Sequence, residues 1–428
     1  MDIILTPSKL NGTIQARPSV TDAWLHSVAQ ELALLQRKRH LLPSRRGVAP
    51  RDLLKMKGCW SSDMETTCAC FKCFTEDVPV LYCADSRHTL NLMLPIASAL
   101  KKKVYFTGDI SLADNHIIPL TDTLHRHGPS ATRGELKIRR RDRSRIKEIC
   151  TLSGRLTHGS YSLTGKEDPC FIAGLLFALP LLEGNSSLHM TTMPVSTELM
   201  EMTLAVMEQY GVKTHRSVDE YGYPHYDISG NQQYTIPEEL RIDGDWKRAS
   251  FWLGCGALGG NVTVKGLDGY SPQNARQILD KLHSMGAGTG IGEGGANVTA
   301  VNLHGCNINA SRIPDLIPIL AVAMSVAEGT SMLTDTAGYD LDAVFHTLDI
   351  LEADISYGGA GLSFTGRAVL SGGEVDPKGD PLIILIASAA SCVSRLPVTI
   401  RNAGIINKVY PGFFEDFAAL GGKVTVDR

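Results

Sequence analysis

The stretch Ile4-Leu5-Thr6-Pro7-Ser8-Lys9-Leu10-Asn11-Gly12-Thr13-Ile14, followed by Pro18-Ser19-Val20-Thr21-Asp22-Ala23-Trp24-Leu25, decides how this chain is read. Near the other end stand Gly372-Gly373-Glu374-Val375-Asp376 and Asn407-Lys408-Val409-Tyr410-Pro411-Gly412-Phe413-Phe414-Glu415-Asp416. Between them, short strands and amphipathic helices alternate. Val262-Thr263-Val264 reads as a strand, followed by a helical stripe from Gln273 to Met285 through Ala275, Ile278, Leu279 and Leu282. Ser187 to Met190 is another strand. It precedes a helix from Thr197 to Tyr210, where Leu199, Met202, Val206 and Tyr210 form the apolar face and Gly211 the stop. A third unit runs from Gly329 through Ala343–Leu351 to Ile355-Ser356-Tyr357-Gly358-Gly359. This recurrence in both halves implies internal structural repetition.

Size and composition set the frame. A chain of 428 residues suits two domains, and 43% hydrophobic with 6% aromatic residues is ordinary for a folded protein. The net charge of -3 gives no global pull toward nucleic acid or anionic membrane. No apolar run reaches the length of a membrane span, and Met1-Asp2-Ile3-Ile4 does not open like a signal peptide, so a cytoplasmic location is expected. Five of the ten cysteines cluster: Cys59, Cys68, Cys70, Cys73 and Cys83. Structural zinc sites usually pair two Cys-x2-Cys-like knuckles, so reduced thiols without metal are the expectation here.

The two terminal stretches resemble the enolpyruvyl (carboxyvinyl) transferases, most closely the EPSP synthase family. Further blocks occur in family order: Leu152-Ser153-Gly154-Arg155-Leu156, Phe171-Ile172-Ala173-Gly174-Leu175, Gly244-Asp245-Trp246 and Ile313-Pro314-Asp315-Leu316-Ile317. The resemblance implies an α/β fold of two domains, each of three repeated α/β units arranged as an inside-out α/β barrel. The domains would be 1–18 plus 239–428 and 19–238, with the return crossing near Ile236-Pro237-Glu238-Glu239 and a ligand cleft between them. It also implies a monomer without cofactor or metal, whose partner is a small molecule rather than nucleic acid or membrane.

The family reaction moves a carboxyvinyl group from phosphoenolpyruvate to a phosphorylated acceptor, so both substrates are anions. Holding them together calls for Arg and Lys side chains, with a base and a proton donor. This chain departs from that pattern motif by motif. In the family's Pro-Ser-Lys-Ser-Asp-x-x-Arg motif the lysine and arginine become Val20 and Leu25, leaving Ser19, Thr21 and Asp22 as binding candidates. In Glu-Ser-Gly-Ser-Thr-Leu-Arg, the glycine becomes Arg87 and the arginine Asn91, with His88 between; all three are candidates. The arginine of Leu-Ala-x-Arg-Pro is Asn115. Asp168-Pro169-Cys170 replaces Ser-Ser-Gln, with Cys170 as candidate, and Ser196-Thr197-Glu198-Leu199 replaces Ser-Lys-Pro-Tyr, with Ser196 as candidate. Thr336-Ala337-Gly338-Tyr339-Asp340 replaces Lys-Glu-Ser-Asp-Arg, leaving Tyr339, and Gly379-Asp380-Pro381-Leu382 lacks the arginine of Gly-Asp-His-Arg.

Two members of the family's catalytic set persist: Asp315, the family's usual base, and Lys408, its phosphoenolpyruvate contact, beside Asn407. Losing five or more charge-assisted contacts of roughly 1.5–3 kcal/mol each removes on the order of 10 kcal/mol. That exceeds the roughly 8 kcal/mol in a micromolar ligand. Arg17, His26, Arg87, His88, Lys166, Lys247 and Arg248 are cations available for a different anion site, or for surface ion pairs. Three readings stand: an enzyme repurposed for a shikimate-like or other small cyclic acid, a non-catalytic binding or regulatory protein, and an ordinary carboxyvinyl transferase.

Overall fold

Ser186–Met190 alternates, burying Ser186, Leu188 and Met190 while Ser187 and His189 stay half-buried on its other face. In Pro169–Ala178 the apolar residues run all round, and the helix is buried from Cys170 onward. Strands with one open face and helices with none make a sheet-outside, helix-inside layering. A computed structural model describes residues 1–39, 61–133, 146–194, 197–292, 294–336, 339, 341–358 and 361–427. Of the sequence candidates, Ser196 and Cys59 lie outside the described residues.

The chain forms two compact units, Met1–Arg17 with Asp243–Arg428, and Pro18–Ile242. These boundaries lie close to the crossings at 18/19 and 238/239 that the sequence implies. The first unit holds three four-stranded sheets. One runs Gly288–Gly292, Gly295–Thr299, Asn261–Lys265, Asn11–Gln15; another Asn307–Asn309, Thr330–Thr334, Gly361–Thr365, Asp354–Gly358. The third runs Gly373–Val375, Val398–Ile400, Asp2–Thr6, Lys423–Asp427. Among the described residues the second unit holds two: Val80–Tyr82, Lys103–Asp109, Ile146–Ser153, Ser130–Thr132, and Ser160–Leu163, Ser186–Met190, Pro224–Ile228, Thr214–Val218.

All five sheets share one plan. A parallel pair at one edge is extended by two antiparallel pairings. In four of them, strands numbered along the chain lie in the order 1-2-4-3. In the fifth the N-terminal strand Asp2–Thr6 takes the fourth place, pairing with Val398–Ile400 and Lys423–Asp427 and so closing the chain on itself. The parallel pair of each repeat needs a crossover, which a buried helix supplies. Four of these helices begin at side-chain caps: Ser86 Oγ accepts from Thr89 N, Asp168 from Cys170 N, Asp245 from Arg248 N and Asp380 from Leu382 N. Helices Arg87–Leu100 and Pro169–Ala178 meet at backbone contact. A Cβ on Gly174 would come within 2.2 Å of Leu92 O.

Val262-Thr263-Val264 lies inside Asn261–Lys265, and the helix from Thr197 is Glu198–Gln209, ending before Gly211 at φ +83. Gln273 to Met285 is not one α-helix. A 3-10 turn, Asn274–Gln277, precedes Ile278–Ser284, and Gln273 is held by its own side-chain bonds to Asp243 and Gly244.

Candidate functional site

In the first unit, helix Trp246–Ala257 opens with two adjacent cations. Lys247 Nζ reaches Asp315 Oδ1 at 2.6 Å, and Arg248 Nη2 donates to Val409 O at 2.7 Å. Asp315 and the neighbour of Lys408 are thereby tied to the same turn. Asp315 sits in the turn Pro314–Leu316 at the head of helix Ile317–Val326, where proline fixes the first turn and an acid suits the helix N-terminus. Lys408 closes the turn Ala403–Lys408 and is exposed, as is Asn407, whose Oδ1 accepts from Gly412 N at 3.4 Å. Tyr339 packs, partly buried, against the unit's core.

Tyr410 anchors this corner. Its hydroxyl accepts from Trp252 Nε1 at 2.7 Å, and the guanidinium carbons of Arg17 and Arg248 lie 5.6 Å and 5.2 Å from its ring centre. Arg17 also meets Asp416 at 3.1 Å. Gly412, at φ +77, permits that approach, since a Cβ there would lie 2.9 Å from Arg17 Nη2. Asp245, the helix cap, keeps 13% of its side chain exposed, and desolvation pushes its carboxyl up, with Arg248 opposing. Tyr410 was not among the sequence candidates. Its place between Lys408 and Pro411 was the available signal.

In the second unit the candidates divide. Arg87 Nη2 is 2.6 Å from Asp114 Oδ2, and Asp114 also bonds His116. His88 Nδ1 is 3.0 Å from Asp63 Oδ2, a bond that raises the His88 pKa and lowers that of Asp63. Ser19 caps helix Val20–Arg39 by accepting from Asp22 N, Thr21 and Asn115 are exposed, and Asp22 is buried 3.7 Å from His26. Nothing in the sequence spacing pointed to Asp63 or Asp114 as partners, because pairing of this kind depends on distance through space.

Asn91, Cys170 and His26 differ from their sequence expectation. Asn91 has no exposed surface and both its amide atoms lack hydrogen-bond partners, so it offers nothing to a ligand at the surface. Cys170 is buried, and burial pushes its thiol up, which keeps it protonated. His26 is not an available cation, because burial drives its pKa down to about 4. Leu25, at the family's arginine position, lies in the core at 0% exposure. The nine described cysteines form no disulfide, and burial pushes Cys68 up to about 11 and Cys150 up to about 12.

The family model "EPSP synthase (3-phosphoshikimate 1-carboxyvinyltransferase)" matches residues 61–417. The chain belongs to the EPSP synthase family. The 3-phosphoshikimate 1-carboxyvinyltransferase of Clostridium kluyveri is 32% identical over 352 residues, covering 81% of this chain and 79% of that protein. That of Methanocorpusculum labreanum is 32% identical over 353 residues, 80% and 79% of the two chains. That of Clostridium perfringens strain SM101 is 28% identical over 435 residues, 98% of each. EPSP synthase from Acinetobacter baumannii superposes with TM-score 0.73 at 16% identity, covering 99% of this chain and 100% of that one, which shows the shared fold. Enolpyruvyl transferase NikO from Streptomyces tendae superposes with TM-score 0.67 at 15% identity, over 99% and 98%. Within the EPSP synthase family frame, Asp315 and Lys408 remain beside the Lys247–Arg248 turn, while Arg87 and His88 each carry a carboxylate of their own.

Proposed function

We propose that this member of the EPSP synthase family has a divergent active site and acts on a small cyclic acid carrying less negative charge than the usual pair of phosphorylated substrates. Asp315 serves as the acid or base and Lys408 as the anion contact. The observation that carries this reading is the pairing of cations: Arg87 with Asp114, His88 with Asp63 and Lys247 with Asp315. A cation already matched by a carboxylate contributes little net attraction to a second anion. The caps Asp168 and Asp245 add negative charge at helix ends that would otherwise favour phosphate. Lys408 is exposed and has no carboxylate partner among the described residues. The same reading takes the protein as a cytoplasmic monomer that needs no cofactor.

The names of the relatives favour a second reading, ordinary 3-phosphoshikimate 1-carboxyvinyltransferase activity, given 32% identity over 81% of the chain. One assay separates the two. Phosphate release is measured with phosphoenolpyruvate and either shikimate 3-phosphate or unphosphorylated cyclic hydroxy acids, alongside thermal shifts with the same acids. The divergent site predicts no release with shikimate 3-phosphate and stabilisation by an unphosphorylated acid. Turnover with shikimate 3-phosphate at about 1 per second or faster would overturn it in favour of the second reading.

A further inference from the structure

The open face of the sheet made by Ser160–Leu163, Ser186–Met190, Pro224–Ile228 and Thr214–Val218 carries an unusual set of side chains. Strand alternation turns Tyr161, Leu188 and Tyr226 into the core. On the other face, register aligns Ser162, His189 and His225 in one row and Ser187, Asp227 and His215 in the next. His189 and His225 are directly opposite on antiparallel strands, where Cβ atoms stand about 5 Å apart. Their ring centres are 6.2 Å apart at an interplanar angle of 32°.

Each ring is already held by its Nε2. His225 Nε2 is 3.1 Å from Asp227 Oδ1, and His189 Nε2 is 2.9 Å from Ser162 Oγ. An ionised carboxylate only accepts, so the neutral form of His225 that meets it carries its proton on Nε2 and its lone pair on Nδ1. The Ser162 hydroxyl can meet the same tautomer of His189. A carboxylate or hydroxyl behind an imidazole is the usual outer support of a metal-bound histidine. A cation between two such rings, about 2.1 Å from each coordinating nitrogen, sets their centres about 5–6.5 Å apart.

We propose that His189 and His225 form a two-imidazole chelate for a late first-row divalent cation, with Asp227 and Ser162 orienting the rings. Among the described residues no three His, Cys, Asp or Glu side chains converge on one point, so water completes the coordination. Imidazole ligands without thiolate rank Cu2+ first. An open groove of about 690 Å³, lined by Ser187, Asp227, His215, Asn185, Ser229 and Lys213, follows the neighbouring row and shares Asp227 with the pair. The site is separate from Asp315 and Lys408 and does not depend on the reaction proposed for them.

The test is titration of the full chain with Cu2+ alone, read by calorimetry and by the nitrogen hyperfine pattern in electron paramagnetic resonance. The expected result is one site with two imidazole nitrogens. His189→Ala and His225→Ala should each lose one nitrogen and at least tenfold in affinity, and Asp227→Asn about tenfold. Melting should stay as in the wild type, because these side chains lie on the open face. His225→Gln, which keeps size and polarity, should behave as His225→Ala. Wild-type affinity and nitrogen count in all three histidine variants would overturn the proposal.

Discussion

Lys247 Nζ and Asp315 Oδ1 lie 2.6 Å apart, so the acid expected to act as base carries its own counter-ion. The side chains are 65% and 39% exposed, which places the pair in solvent. Exposed pairs contribute about 0–1 kcal/mol. Lys247→Met should therefore change the unfolding free energy by less than about 1 kcal/mol in urea titrations, while altering any ligand-induced thermal shift. A loss of several kcal/mol would show that the pair is structural.

His26 predicts a pH dependence. Its folded pKa, about 4, lies below its unfolded value, chiefly through desolvation, so the folded state resists protonation. Stability linked to this group is fully present above about pH 6.5 and is lost as pH falls toward 4. The full shift, already net of the opposing Arg241 backbone carbonyl, corresponds to up to about 3 kcal/mol. Urea midpoints at pH 7 and pH 4.5 should fall further in the wild type than in His26→Phe. Equal falls would show that other groups control acid unfolding.

Asn91 is buried with its amide unpartnered. Asn91→Leu removes that desolvation penalty at similar volume and should stabilise by about 1 kcal/mol. Chemical denaturation measures it, and destabilisation would reveal a bound water or other partner.

Restoring the family's arginine should fail. Leu25 is wholly buried, so Leu25→Arg places a charge in the core and should cost on the order of 3 kcal/mol or more. A folded variant of wild-type melting temperature would mean that this helix face can open.

Gly174→Ala should weaken the second unit. The added Cβ would lie 2.2 Å from Leu92 O and 2.7 Å from Pro95 Cγ, where backbone must move. Overpacking of this kind costs about 1–3 kcal/mol, readable as a lower melting temperature.

The residues of Ser186–Met190 and Glu198–Gln209 announce their strand and helix because alternation and helical stripes are local properties of the chain. The motif order likewise marked the family, and Val20, Leu25 and Asn91 marked the charges that had gone. The break before Ile278–Ser284 was not legible, because Gln273 is fixed by Asp243 and Gly244, which lie far away in sequence.

The sequence alone therefore determined the repeated α/β scaffold, its family and the survival of Asp315 and Lys408. Only the tertiary structure decided what the remaining cations do. Arg87 finds Asp114 across 27 positions and His88 finds Asp63 across 25, while sheet register sets His189 against His225. Helix and strand periodicity report neighbours a few residues away. Coulomb attraction and burial act through space, and those distances exist only once the sheets and helices have packed.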